Sequence, residues 1–273
     1  MAGASVMLTA MKMFDAHCHL QDPRLDASLG DVMQRAKAAG VSRMVCCGTT
    51  ASDWRKVALL CARHSELVPA FGVHPWRVNG MSPSWFDTLT DMIASEPSAT
   101  VGEIGLDYSI LERDETLQEE VFCRQLQLAV ALRRPAAIHC RKAWGSMMRI
   151  LAGFGGLPEG FMVHSYSGSA ELVAPLVKLG AYLSFSGSIT RHRNTHGHAA
   201  AAAVPIDRLL IETDSPDLAP VKDGSPRTGE ELNEPANLIF ILRTVARLRG
   251  VQENELAERT WNNAQRLFLA GNG

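Results

Sequence analysis

The chain has 273 residues, 46% of them hydrophobic and 21% charged, with a formal net charge of −2. That balance can bury a sizeable core. It lacks the basic excess of a protein that coats nucleic acid or lies on a membrane surface, so any polyanionic substrate has to be gripped locally or through metal ions.

The opening stretch MAGASVMLTAMK has no basic segment ahead of its short apolar part, and Lys12 lies on the wrong side for a secretory signal. Residues 1–12 are read as an N-terminal extension, and residues 13–270 as one domain. The first strand-like run is MFDAHC, followed by a helical stretch from Leu29 to Ala39. RMVCCG is the second strand, with a helix from Asp53 to Arg63. LVPAFGVHP and ATVGEIGL are the third and fourth, followed by helices from Trp85 to Ser95 and Thr116 to Leu132. PAAIHC and FMVHSY are the fifth and sixth, with helices from Trp144 to Leu151 and Ala170 to Leu179. AYLSFSG leads into the helix-favouring run Ala199 to Pro205, and LLIETDSP is the eighth strand. Helices from Ala236 to Leu248 and Glu253 to Phe268 complete the chain. Strands alternating with helices imply a parallel sheet, and eight such units predict a closed (β/α)8 TIM barrel in a single domain. An open doubly wound sheet is the alternative. Neither G-x-G-x-x-G nor G-x-x-x-x-G-K-[ST] is present, so nucleotide-binding folds lack their phosphate loops.

No apolar run approaches the ~18 residues of a membrane span, so no membrane partner is expected. The six cysteines (Cys18, Cys46, Cys47, Cys61, Cys123 and Cys140) form no CxxC pair. They are read as free thiols in a reducing cytosol, and a cytoplasmic protein is expected.

Barrel enzymes place their chemistry at the C-terminal ends of the strands. Those ends carry His17 and His19, then His74, Glu103, His139, His164 and Asp214. Residues i and i+2 of a strand share a face, so His17 and His19 project together and Cys18 faces the other way. Ligand-type residues on six strand ends at one rim point to a metal site. Number and type suggest two divalent ions. His17, His19 and Asp214 can hold one, His139 and His164 the other, and Glu103 can bridge through its two oxygens. Nitrogen and carboxylate ligands suit Zn²⁺, Mn²⁺ or Mg²⁺ without choosing among them. Two ions ~3.5–4 Å apart are a common device for cleaving phosphate esters, one acidifying a water and the other offsetting charge on the substrate. Asp214 is the candidate general base, with a role as ligand only as the alternative.

FDAHCHL, GVHP, VGEIGLDY, IHCR, HSYSGS, LLIETDSP and NEPAN together resemble the TatD family of metal-dependent deoxyribonucleases in the amidohydrolase-like superfamily, from Phe14 to Phe268. The resemblance implies a metal-binding barrel that hydrolyses phosphodiester bonds, often as a 3′–5′ exonuclease acting on DNA ends. It carries the metal ligands onto His17, His19, Glu103, His139, His164 and Asp214; of these, Glu103 and Asp214 are read as the catalytic residues. It places His74 against the substrate phosphate. Two stretches depart from the family pattern. The usual HCFSG reads HSYSG, with Ser165 and Tyr166, and a basic RGKRNEP reads RTGEELNEP, leaving Arg227 but adding Glu230, Glu231 and Leu232. The acidic replacements weaken the expected grip on a nucleic-acid backbone. Tyr166, Arg141 and Arg227 join His74 as expected substrate contacts.

Other residues are read more plainly. The second H-x-H, His196 and His198, opens a helix, where i and i+2 do not share a face. Asp107 is expected to orient a neighbouring loop, and Asp15 to be structural. Cys18 and Cys140 are expected to pack, Trp144 and Trp261 to lie in the core, and Trp76 to stack on a base or cover the site. The rival function is an amidohydrolase-like enzyme acting on a small amide, lactone or ester, aminoacyl esters included. Such enzymes often bridge their ions with a carboxylated lysine on strand four, where this chain has Glu103. The protein is expected to act as a monomer on DNA ends or a small phosphodiester.

Overall fold

The structure, a computed structural model, describes residues 11–222 and 232–269. Eight parallel strands lie side by side in chain order. They are β1 (Met13–Cys18), β2 (Val41–Cys47), β3 (Leu67–Phe71), β4 (Thr100–Asp107), β5 (Ala136–Arg141), β6 (Phe161–Val163), β7 (Ala181–Phe185) and β8 (Leu209–Ile211). The ends of β1 and β8 meet. Asp214 N–H donates to the His17 carbonyl at 2.9 Å, and His19 N–H donates to the Ser215 carbonyl at 2.7 Å. These bonds close the sheet into the expected (β/α)8 barrel. The alternating helices are α1 (Leu29–Ala38), α2 (Ala51–Arg63), α3 (Trp85–Ser95), α4 (Glu115–Ala131), α5 (Trp144–Phe154), α6 (Val173–Lys178), α7 (Thr195–Ala203), α8 (Leu238–Arg249) and α9 (Glu253–Phe268). Among the described residues no helix is long and apolar enough to cross a membrane.

Two apolar layers hold this shape. The larger lies between the strands and the ring of helices and contains Cys18, Met44, Phe71, Ile104, Ile138, Leu183 and Ile211. Here Trp54 of α2 is fully buried, and its indole N–H donates to the Gly72 carbonyl at 2.9 Å, fixing helix to strand. The smaller layer holds Phe14, Val45, Val68, Met162 and Leu210 from alternate strand positions, capped by Leu267 and Phe268 of α9. Each large apolar side chain so buried contributes roughly 1.5–3 kcal/mol. Trp144 and Trp261, expected in the core, are only half-buried. Trp261 covers Phe14 at 5.7 Å between ring centres, and Trp144 meets the Tyr166 ring edge-on at 5.1 Å.

Two departures from regular pairing set the chemistry. Between Asp15 and Cys18, β1 advances three residues while β2 advances two, from Met44 to Cys46. Between Val101 and Ile104, β4 likewise gains a residue on β5, which advances from Ala136 to Ile138. An extra residue of this kind re-aims the side chains that follow it. The inward side switches from Phe14 and Ala16 to His17 and His19. On β4, Val101 and Ile104 both stay in the outer layer while Glu103 between them turns inward.

Candidate metal centre

The inward side chains at the C-terminal ends of the strands meet around Glu103, which is 2% exposed. His17 Nε2 and His19 Nε2 are 3.2 Å apart. Glu103 Oε2 lies 3.4 Å from the first and 3.5 Å from the second. Asp214 Oδ1, on the turn after β8, is 3.7 and 3.4 Å from the same two nitrogens. The other carboxylate oxygen of Glu103 faces a second set. Its Oε1 is 3.1 Å from His139 Nδ1, 2.8 Å from His164 Nε2 and 3.4 Å from His74 Nε2.

These spacings suit shared cations. Four tetrahedral ligands bonded at ~2.0–2.1 Å stand about 3.3 Å from one another. His17, His19 and Asp214 offer atoms all within 4.8 Å of one another, and so do Glu103 and His139 on the other side. Burial opposes ionisation of Glu103, but the imidazoles of His164, His74 and His17 outweigh it and hold its carboxyl well below the usual range. Burial also opposes ionisation of Asp214, and His19, His164 and His17 pull its carboxyl down in turn. The donor set is an anionic pair ringed by nitrogen, as a divalent cation requires.

Hydrogen bonds behind the histidines decide which nitrogen faces inward. A carbonyl only accepts, so His19 Nδ1 donates to the Cys47 carbonyl, 2.7 Å away, and its Nε2 lone pair points into the site. The same carbonyl accepts from Gln21 Nε2 at 2.6 Å. His139 is reversed. Its Nε2 lies 3.2 Å from Asp107 Oδ2, which leaves Nδ1 for the centre. Burial disfavours an ionised Asp107, but hydrogen bonds from His139, Ser109 and Trp76 keep its carboxyl well below the usual range. His164 Nδ1 faces Glu212 Oε1 at 3.3 Å, an oxygen that also accepts the Ser165 N–H at 2.6 Å. His17 Nδ1 abuts Cys47 Sγ at 3.3 Å. Such partners fix both the tautomer and the ring orientation of a metal-binding histidine.

His74 differs from its neighbours. Its Nδ1 accepts the Trp76 N–H at 3.1 Å, so the proton sits on Nε2, aimed at the Glu103 carboxylate. Burial pushes its pKa down to about 4. A neutral ring with an inward N–H is a hydrogen-bond donor rather than a metal ligand.

The centre opens into a cleft of about 770 Å³. Its wall includes Trp76 and Arg141, together with Thr49, Thr50, Ser165, Ser167 and Ser188. Arg24 at the rim is held by Asp22 at 2.7 Å and Asp217 at 2.9 Å. The structure therefore brings together His17, His19, His74, Glu103, His139, His164, Asp214 and Arg141.

Tyr166 is placed elsewhere, contrary to the expected substrate contact. It is 3% exposed, its hydroxyl donates to the Ser169 carbonyl at 2.7 Å, and its ring packs edge-on against Trp144 and Phe185. β6 ends at Val163, and Ser165 adopts φ 40°, so strand alternation no longer fixes which way residue 166 faces. Arg227, Glu230 and Glu231 lie outside the described residues. His196 is exposed, and His198 donates to the Ile189 carbonyl at 2.9 Å, away from the centre.

Three residues of the site escape a reading of the strand ends. Asp107, expected to order a loop, carries His139 and Trp76 as well as Ser109. Its spacing from Glu103, i to i+4 in one strand, was the available signal. Glu212 lies just past the end of β8, where alternation gives no signal. Cys47 acts through its carbonyl and leaves no mark in the sequence. Asp15 is structural as expected: it is buried and accepts from Thr213 N–H at 2.8 Å. Burial raises its pKa to about 8.

Comparison with known proteins agrees with this picture. The model of the TatD related DNase family matches residues 14–269. The chain is 33% identical over 256 residues to the uncharacterized metal-dependent hydrolase YabD of Bacillus subtilis, covering 94% of this chain and 98% of that protein. It is 31% identical over 258 residues to the 3′-5′ ssDNA/RNA exonuclease TatD of Cronobacter sakazakii, covering 94% and 98%. The crystal structure of YjjV, a TatD homologue from Escherichia coli K12, superposes with a TM-score of 0.89 at 28% identity, over 95% of this chain and 98% of that one. With family model, relatives, barrel and donor set in agreement, this chain belongs to the TatD family of metal-dependent hydrolases.

Proposed function

We propose that the protein is a phosphodiesterase acting on DNA ends, a 3′–5′ exodeoxyribonuclease that uses two divalent ions. The observation that carries this reading is the division of Glu103. One oxygen faces the His17 and His19 pair and the other faces His139 and His164. His17, His19 and Asp214 would hold one ion, His139 and His164 the other, and Glu103 would bridge them. When bound, the ions supply Lewis acidity toward a water and toward the phosphate oxygens.

The chain's own groups do the rest. Asp214, ionised and at the open end of the centre, takes a proton from the attacking water. His74 Nε2–H donates to a phosphate oxygen. Arg141, exposed on the wall, pairs with the backbone of the bound strand. Strand β4 has Glu103 and no lysine, which favours this reading over the amidohydrolase-like one. All six ligands come from one chain, so the set is complete without a second subunit. The test is hydrolysis of bis-p-nitrophenyl phosphate and of single-stranded DNA, against a lactone panel, with and without EDTA. Metal-dependent cleavage of both phosphodiesters is expected, releasing p-nitrophenol from the first and 5′-mononucleotides from the second. Cleavage that EDTA leaves untouched, or turnover of lactones alone, refutes the reading.

A further inference from the structure

Trp76 stands out at the mouth of the cleft. It is 52% exposed, far above the buried Trp54 and Trp85, yet it does not swing freely. Its backbone N–H is tied to His74 Nδ1 at 3.1 Å within the short 3-10 turn Pro75–Arg77. Its indole N–H donates to Asp107 Oδ2 at 2.8 Å, and Asp107 is fully buried. Both polar ends of the residue are thus held from below, and the apolar ring lines the open cleft. The ring centre lies 4.9 Å from that of His74 and 6.4 Å from that of His139. A fixed, half-exposed aromatic surface beside a phosphate-binding centre is what a nucleobase needs for stacking.

We infer that Trp76 is the platform on which a base at the 3′ end of the substrate stacks, making it a specificity residue for base-bearing strands. This rests on the nuclease reading above and adds a selectivity to it. Stacking tolerates all four bases, because each has a π face. Its loss is therefore read against a strand lacking the base rather than against a change of sequence.

The experiment compares two single-stranded oligonucleotides. One carries ordinary nucleotides at its last two 3′ positions, and the other carries tetrahydrofuran abasic residues there. Wild type is expected to prefer the base-bearing end in kcat/KM by roughly 5- to 150-fold, the rate equivalent of stacking one base. Trp76→Leu, which keeps apolar bulk without a π face, and Trp76→Ala are expected to bring that ratio close to one. Trp76→Phe is expected to retain most of it. A purely structural role through Asp107 and His139 would slow both strands alike and leave the ratio unmoved. A ratio near one in wild type, or one that survives in both Trp76→Leu and Trp76→Ala, overturns the platform while leaving the nuclease reading intact. Failure of wild type to cut either strand overturns both.

Discussion

Replacing Asp107 with asparagine removes one charge and almost no volume, so its effect isolates the control of His139. The Oδ2 position now receives the Trp76 indole N–H at 2.8 Å and faces His139 Nε2 at 3.2 Å. The other oxygen accepts the Ser109 N–H at 2.8 Å, which holds the amide oxygen of asparagine there and turns its NH₂ toward the tryptophan and the histidine. Two donors then oppose each other at Trp76. At His139 the amide donates to Nε2, so the ring proton moves to Nδ1, the atom that faces Glu103 at 3.1 Å. A protonated Nδ1 cannot ligate a cation. Outer partners of metal-binding histidines typically account for 10–100-fold in affinity or activity, or ~1.4–2.8 kcal/mol. On the proposed two-ion reading, Asp107→Asn is therefore expected to bind one of two metal equivalents about 10–100-fold more weakly, losing it at ion concentrations that only just saturate wild type, and to lower phosphodiesterase kcat by a similar factor. Metal content after equilibrium dialysis, with a chelator competition titration, reads the first quantity, and a thermal melt confirms folding. Wild-type affinity for both ions in a folded Asp107→Asn protein would refute the assignment of Asp107 to the tautomer of His139.

Glu103→Ala and Asp214→Asn are each expected to cost at least about 10³-fold in bis-p-nitrophenyl phosphate turnover, ~4 kcal/mol of transition-state stabilisation. Retention of a tenth of wild-type kcat by either would remove that residue from the catalytic set. Gly105→Ala should be destabilised by at least about 1–3 kcal/mol from backbone conformation alone. Gly105 has φ +141°, and an added Cβ would stand 2.0 Å from the His139 carbonyl, forcing β4 away from β5. Urea unfolding measures this, and a wild-type midpoint would refute it. Burial raises the thiol pKa of Cys18, Cys46, Cys47 and Cys140, so these four should resist thiol reagents. Ellman's reagent should titrate at most the two half-buried thiols, Cys61 and Cys123, in native protein and all six after denaturation; rapid native reaction of three or more would contradict the packing.

The eight strands and the helices between them were legible because hydrophobic periodicity is a local property of the chain. Met13–Cys18, Trp85–Ser95 and Glu253–Phe268 fall where the pattern puts them. The ligand-type residues were legible because barrel topology sends every strand end to one rim. Strands β3, β6, β7 and β8 nevertheless stop short of their apolar runs, and His74, His164 and Asp214 lie on the turns beyond β3, β6 and β8. Tyr166 was misplaced for this reason: past the end of a strand, alternation carries no information.

The sequence alone therefore determined the barrel, its order of elements and the inventory of nitrogen and carboxylate donors, since each follows from neighbours within a few residues. Only the tertiary structure decided how those donors are aimed. The register shifts that turn His17 and Glu103 inward depend on pairing with β2 and β5. The partners of His19, His139 and His164 lie 28, 32 and 48 residues away in the chain. Which nitrogen of an imidazole keeps its proton is set by the acceptor beside it, and that acceptor exists as a neighbour only once the strands have come together.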